Sequence, residues 1–224
     1  MIIDIRHNNF IAIIVCLLIA MTLHEAMHAY TSHWLGDDTA LHEGRLSLNP
    51  LKHIDPFATV ILPAITMLLI GFPILAAKPV PFNPNRVKYE EFGAALVGVA
   101  GPLTNLALAI LTAIFLHGIG GQLSQSVVNV LGLFVWLNLA LFVFNMIPFP
   151  PLDGSRLLYA FAPEPLQEVM QSIERYGLMA IVLFIIVAIY FIGPAITNII
   201  GALSHLLGLT FITGWDTIRG SEVK

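Results

Sequence analysis

The sequence predicts an all-α polytopic membrane protein with five to six transmembrane helices, and two observations carry that prediction. Of its 224 residues, 57% are hydrophobic and only 11% are charged, whereas about 25% are charged in an ordinary soluble domain. Charged residues are also absent from four long stretches, namely 7–24, 56–77, 92–152 and 176–215. Because a spanning helix needs about 20 apolar residues, these stretches have room for five to six spans.

The same composition excludes several other classes of protein. The single cysteine, Cys16, has no partner for a disulfide within the chain, and the sequence contains no basic cluster of the kind that binds nucleic acid. The net charge of −4 is small. We therefore expect one membrane domain over 1–224, with a core at about 10–160 and carboxyl-terminal spans within 176–212, and with the lipid bilayer as its surroundings.

The first span is predicted from about Phe10 to Trp34 and ends before Gly36. Its uncharged stretch is longer than the apolar region of a signal peptide and no small-residue cleavage site follows it, so we interpret it as a retained helix. The polar segment 37–55 comes next. Within it, residues 45–49 alternate between apolar and polar side chains, a pattern that allows a short membrane-associated β-hairpin.

The second apolar stretch, 57–77, is interrupted by Pro63, Gly71 and Pro73. Proline removes a helical hydrogen-bond donor and clashes with the preceding turn, and irregular backbone at membrane depth has to be buried in protein or line water. The sequence therefore predicts either a kinked span or a re-entrant hairpin that returns to the side from which it entered.

The remaining chain contains three firm spans and two weaker elements. Spans are predicted at 92–117, 127–147 and 176–192, while 195–212 either spans the membrane or lies at its interface. Leu166, Met170 and Ile173 recur at helical spacing opposite polar residues, which is typical of a surface helix lying on the membrane.

A metal-binding pattern lies in the first predicted span, where HEAMH occupies residues 24–28. Residues four apart share one helix face, so His24 and His28 can both reach one tetrahedral Zn²⁺. Glu25 is offset to contact a metal-bound water, whose pKa falls from 15.7 to about 7, and it can move that water's proton to the leaving nitrogen. In the alternative interpretation, these side chains only face water or lipid headgroups at a helix end. Three ionisable groups within five residues of a span, however, need a compensating partner.

Two histidines leave a catalytic zinc one protein ligand short. Asp153 is the best candidate for the third, because it is the only acid between Glu91 and Glu164 and directly follows a predicted span. Three prolines fix the incoming chain, and Gly154 permits a tight turn. From the local sequence alone, an ordinary turn aspartate is an equally good interpretation.

These residues carry a resemblance to a known family. HEAMH at 24–28, GPLTN at 101–105 and NMIPFPPLDG at 145–154 resemble, in the same order, the signatures of the site-2 protease family of intramembrane zinc metalloproteases, peptidase family M50. GRLSLNPLKHIDP at 44–56 and AKPVPFNP at 77–84 resemble its compact branch, without PDZ or CBS domains. The resemblance implies that His24, His28 and Asp153 bind zinc and that Glu25 is the catalytic base.

Other polar residues have competing interpretations. Asn105, one helical turn after Gly101, either orients substrate and stabilises the oxyanion, a catalytic role that the resemblance favours, or bonds a neighbouring helix. Asn145 presents the same choice. His33, His42 and His53 follow the metal motif and are accessory ligands only in a minority interpretation.

The sequence thus predicts a zinc endopeptidase with one Zn²⁺ per chain that hydrolyses peptide bonds in or near transmembrane segments of other membrane proteins. The alternative function is non-catalytic metal binding or transport, but a transporter should repeat its ligands on several spans. With re-entry of 57–77 and five spans, seven Lys and Arg residues lie on the metal's side and three opposite, against six and four with full crossing. The positive-inside rule then places the site towards the cytoplasm and the amino terminus outside.

Overall fold

The computed structural model describes residues 1–5, 10–53, 80–177, 179–180, 183–184 and 192–212. The predicted segment 57–77 and most of the predicted span 176–192 lie outside the described residues. The helices are α1 (Phe10–Trp34), α2 (Thr39–His42), α3 (Glu90–Ile119), α4 (Gln125–Asn145), α5 (Gly154–Phe161), α6 (Glu164–Glu174) and α7 (Gly193–Leu206), and the strands are β1 (Ile2–Asp4) and β2 (Thr210–Ile212).

Three helices are long and apolar enough to cross a membrane among the residues described. They are α1, α3 with the short turn that follows it, and α4, with mean hydropathies of 2.3, 2.0 and 2.3. The prediction of a helical membrane protein is confirmed, and α1 has the predicted bounds. The total of five to six spans is not tested by the described residues.

Helix α3 lies at the centre and packs against α1, α4 and α5. Small side chains line the contacts of α3 with its neighbours, and the buried ones include Ala94, Ala95, Ala109 and Ala113. Lipid tails are as apolar as the helices, so close van der Waals packing between small residues holds such helices together. The larger core side chains lie towards the end of α3, around the fully buried Leu116.

The sequence did not predict the two-stranded parallel sheet of β1 and β2. Ile2 pairs with Thr210 and Asp4 with Ile212, while the side chain of Ile3 is fully buried against α4. The sheet lies at the end of α3, where the side chain of Met1 approaches Gly120. Helix α7 packs along α4 and leads into this sheet. The predicted element 195–212 thus corresponds to most of a 14-residue helix, Gly193–Leu206, followed by a strand.

At the other end of α3, the chain leaving α1 is bonded to the chain entering α3. The backbone N–H of Lys88 donates to the carbonyl of Leu35 at 2.9 Å. The fully buried Asp37 carboxylate accepts from Thr39 Oγ1 at 2.5 Å and from the backbone N–H of Asn83 at 2.6 Å. Burial acts to raise the pKa of Asp37, but these hydrogen bonds outweigh it and hold the pKa below its ordinary value.

Residues 45–49 form no strand, contrary to what their alternation allows. Their backbone groups bond locally instead: the Arg45 N–H donates to Ala40 O at 2.8 Å, and the Ser47 N–H donates to Arg45 O at 2.8 Å. The side chain of Asn49 then caps the turn Pro50–Lys52 by accepting from Leu51 N. Local turns therefore override the alternating pattern.

The helix predicted around Leu166, Met170 and Ile173 is present as α6, with Leu166 exposed. Its Met170 is buried and Ile173 is half-buried, whereas Glu168 on the opposite face is exposed. An ion pair between Arg156 and Glu174 joins α5 to the end of α6.

Candidate metal centre

His24 and His28 lie one helical turn apart on the buried face of α1, with only 6% and 7% of their surfaces exposed. This face packs against α3. Their Nε2 atoms are 3.0 Å apart. Glu25, the next residue around the helix, is partly buried.

The structure brings Asp153 to the same point. Its Oδ2 atom lies 3.0 Å from His24 Nε2 and 3.4 Å from His28 Nε2. The three atoms are therefore close enough to share a proton or to bind one cation.

The second nitrogen of each imidazole is bonded away from this point. His28 Nδ1 lies 2.7 Å from the backbone carbonyl oxygen of Val97, and His24 Nδ1 lies 2.6 Å from Asn105 Oδ1. Both partners are oxygens that can only accept, so each Nδ1 carries the proton. In a neutral imidazole with its proton on Nδ1, Nε2 keeps the lone pair, and here that nitrogen lies next to Asp153.

Two imidazole nitrogens and one carboxylate oxygen thus converge within 3.4 Å. A proton on one of these three atoms can bond to only one of the other two at a time, whereas a divalent cation between them can bind all three. Tetrahedral zinc with bonds of about 2.0–2.1 Å separates its ligand atoms by about 3.3 Å. The donor set therefore fits zinc, and of the described residues only these three form such a cluster.

Two glycines permit this close approach of helices. An added Cβ at Gly101 would lie 2.4 Å from His28 Nε2 and 2.7 Å from His24 Nε2. An added Cβ at Gly154 would lie 2.4 Å from the carbonyl oxygen of Met146. The absence of a side chain at Gly154 therefore lets α5 pack closely against the end of α4. This packing places the neighbouring Asp153 against α3.

The predicted catalytic residue Asn105 is fully buried and lies beneath His24. Its Nδ2 donates to Asn138 Oδ1 at 2.9 Å and lies 3.4 Å from the carbonyl oxygen of Ala20. Both ends of the amide are therefore engaged within the protein. This geometry favours orientation of His24 over the predicted contact with substrate or an oxyanion.

The accessory histidines do not join the cluster. His33 Nδ1 lies 2.6 Å from Asp38 Oδ1 on the exposed end of α1, and the buried His53 bonds the carbonyl oxygen of Ser47 at 2.8 Å. Sequence reasoning missed Asn138. The available signal was an amide in the middle of an otherwise apolar span.

Comparison with known proteins finds relatives among zinc metalloproteases. The chain matches the model of Peptidase family M50 over residues 116–189, a stretch that includes Asp153. The "Putative zinc metalloprotease YwhC" of Bacillus subtilis (strain 168) is 35% identical over 189 residues, covering 81% of this chain and 80% of its own. The "Putative zinc metalloprotease Rip2" of Mycolicibacterium smegmatis is 29% identical over 191 residues, covering 84% of this chain and 70% of its own. No solved structure is a significant match.

A histidine–histidine–aspartate cluster among apolar, membrane-length helices defines an integral membrane metalloprotein. The chain belongs to peptidase family M50, the site-2 protease family, and is a zinc metalloprotease. The predicted family, enzyme class and zinc are thereby confirmed, and the alternative of metal transport is disfavoured.

Proposed function

We propose that this protein is an intramembrane zinc endopeptidase that hydrolyses peptide bonds in or near transmembrane segments of other membrane proteins. The observation that carries the proposal is the depth of the cluster. His24 is ten residues and His28 six residues from the end of α1, or about 15 and 9 Å at 1.5 Å per residue. In a hydrocarbon core of about 30 Å, those depths lie inside the membrane when α1 spans it.

His24, His28 and Asp153 are proposed to hold the zinc, and Glu25 is proposed as the general base. Zinc supplies Lewis-acid polarisation of a carbonyl and a lowered pKa for water. Glu25 accepts a proton from the attacking water and returns it to the leaving nitrogen. Its position beside His24, outside the converging trio, leaves its carboxylate available for that transfer.

The substrate is proposed to be a transmembrane segment whose helix is weak near the cut. A helix hides its carbonyls in its own hydrogen bonds, so the scissile peptide has to unwind before it reaches the metal. We therefore expect segments with glycine, proline or asparagine at membrane depth to be cut faster than uninterrupted leucine-rich segments.

Reconstitution tests this function directly. The purified protein is placed in proteoliposomes with a reporter peptide whose span contains an asparagine–glycine pair. Cleavage is expected to stop on treatment with a chelator and to return with added zinc. Glu25→Gln is expected to keep about one zinc per chain while turnover falls by about 10²- to 10⁴-fold, because the variant loses the base and no ligand.

Two results would contradict the proposal. Full activity of Glu25→Gln would exclude it as the base. Equal cleavage of the membrane reporter and of a soluble unfolded protein such as casein would contradict a preference for membrane segments. His33→Gln, at an exposed histidine of the same helix, is the matched control and should retain both zinc and turnover.

We further propose that 57–77 is re-entrant and that the site faces the cytoplasm. The flanks of this stretch support the proposal, because residues 83 and 88 bond to Asp37 and Leu35 just after α1. Because both flanks lie at the same end of α3, we propose that the chain between them crosses the membrane an even number of times. Met1, at the opposite end of α3, then lies outside, and the side with more Lys and Arg contains the metal.

Thiol labelling in intact cells measures this topology. With Cys16 replaced, single cysteines at Ser47, Asn85 and Glu164 are each expected to resist an impermeant thiol reagent and to react after permeabilisation. Labelling that separates Ser47 from both Asn85 and Glu164 would show that 57–77 crosses the membrane. Labelling at all three would show that the site faces outward.

A further inference from the structure

A row of three polar side chains leads from the metal cluster into the centre of the helix bundle. His24 of α1 contacts Asn105 of α3 at 2.6 Å, and Asn105 contacts Asn138 of α4 at 2.9 Å. Both asparagines are fully buried. A buried amide group without a hydrogen-bond partner destabilises the fold, so the hydrogen bonds between these side chains determine which way each amide is turned.

The direction of each hydrogen bond in this row is determined by Asn138, the residue farthest from the metal cluster. Asn138 Nδ2 donates at 2.8 Å to the backbone carbonyl oxygen of Phe134, which can only accept. Asn138 therefore presents Oδ1 to Asn105, and Asn105 donates a hydrogen bond to it from Nδ2. The remaining Asn105 atom, Oδ1, faces His24 and can only accept. His24 consequently carries a proton at Nδ1, and a neutral His24 then keeps its Nε2 lone pair for the metal.

We propose that Asn138 is a positioning residue, which fixes the Asn105 amide and through it the tautomer and ring orientation of His24. The inference rests on the proposed role of His24 as a zinc ligand. A reversed Asn105 amide would present Nδ2 to His24 and favour the tautomer whose Nε2 carries the proton. That tautomer does not bind the metal.

The test is a zinc affinity measurement on Asn138→Leu, a change of similar volume that removes the acceptor for Asn105. Loss of an outer partner of a metal-binding histidine typically lowers metal affinity by about 10- to 100-fold, and we expect a loss in that range. The visible bands of the cobalt-substituted protein, which report ligand geometry, are expected to shift. Asn138→Asp keeps the acceptor and is expected to restore both values.

A double-mutant cycle separates positioning from general packing. If Asn138 acts through Asn105, then Asn138→Leu has little further effect on zinc affinity once Asn105→Ala is present. Independent, additive losses would overturn the proposal. Asn129→Leu, on the same helix but outside this row, is the control and should leave zinc affinity unchanged.

The melting temperature separates a packing role of Asn138 from a positioning role. A lower melting temperature for Asn138→Leu with unchanged zinc affinity and cobalt spectrum would show that Asn138 only packs the helices, and the proposal would be wrong. If Asn138→Leu does not fold, Asn138→Ala gives the same comparison with a smaller side chain. Failure of the proposed function is recognised separately, by full zinc affinity in a variant that lacks His24.

Discussion

Gly101→Ala is expected to lower zinc affinity by on the order of 10²-fold or more, although it adds only one methyl group. Its Cβ would lie 2.4 Å from His28 Nε2 and 2.7 Å from both His24 Nε2 and His28 Cε1. No relaxed structure contains such contacts, so either the imidazoles or the helices have to move. Movement of the rings separates the atoms that converge on the metal, whereas movement of α3 away from α1 costs about 1–3 kcal/mol of packing.

Zinc titration and thermal unfolding of the purified variant distinguish these effects. Gly118→Ala is the matched control, because it lies on the same helix with no atom within 4 Å of its added Cβ. The control is expected to bind zinc as the parent does and to gain slightly in stability, since alanine is the better helix former by about 1 kcal/mol. Parental zinc affinity in Gly101→Ala would mean that the two imidazoles do not bind metal in this arrangement.

The membrane helices could be predicted because their signal is local. An apolar run long enough to span the bilayer allows few structures other than a helix, since every backbone group has to be bonded within the segment. Helix α1 accordingly begins and ends where hydropathy and the glycine at 36 place it. The histidine pair is local in the same way, because an i, i+4 spacing determines its geometry on any helix.

The third candidate ligand is not local, and the sequence alone left it undecided. Whether Asp153 reaches the histidines depends on how α4 and α5 pack against α3. Two glycines permit this packing: Gly154, and Gly98 of α3, where an added Cβ would lie 2.8 Å from Arg156 Cβ of α5. A glycine carries no chemical signal of its own. The sequence made Asp153 the best candidate but left an ordinary turn aspartate equally good, and only the family resemblance favoured the ligand before the structure placed the three candidate atoms within 3.4 Å.

Long-range pairing explains what the sequence did not predict. Strands β1 and β2 have only three residues each, which is too few for an alternating pattern to stand out, and they lie near opposite ends of the sequence. The role of Asn138 likewise depends on its register against Asn105 on another helix. In contrast, the alternation at 45–49 was local but misleading, because side-chain and turn hydrogen bonds satisfy that backbone instead.

Asp153→Ala is expected to lose both zinc and activity. The change removes one of three converging ligand atoms and leaves two imidazoles, which hold zinc weakly. The loss in zinc affinity should exceed the 10- to 100-fold typical of an outer partner, and therefore exceed that of Asn138→Leu. Metal content after dialysis and competition with a chromophoric chelator measure it.

The controls for Asp153→Ala separate ligand loss from loss of charge. Asp38→Ala removes a carboxylate that pairs with His33 at the exposed end of α1, so it should keep zinc and turnover. Asp153→Asn retains an oxygen at the site without its charge, and it should bind zinc more weakly than the parent but more tightly than Asp153→Ala. If Asp153→Ala binds zinc as tightly as the parent and is inactive, Asp153 acts on the substrate and another residue completes the metal site. Loss of zinc from Asp153→Ala alongside its retention in Glu25→Gln would instead assign the two acids to different tasks, metal binding and proton transfer.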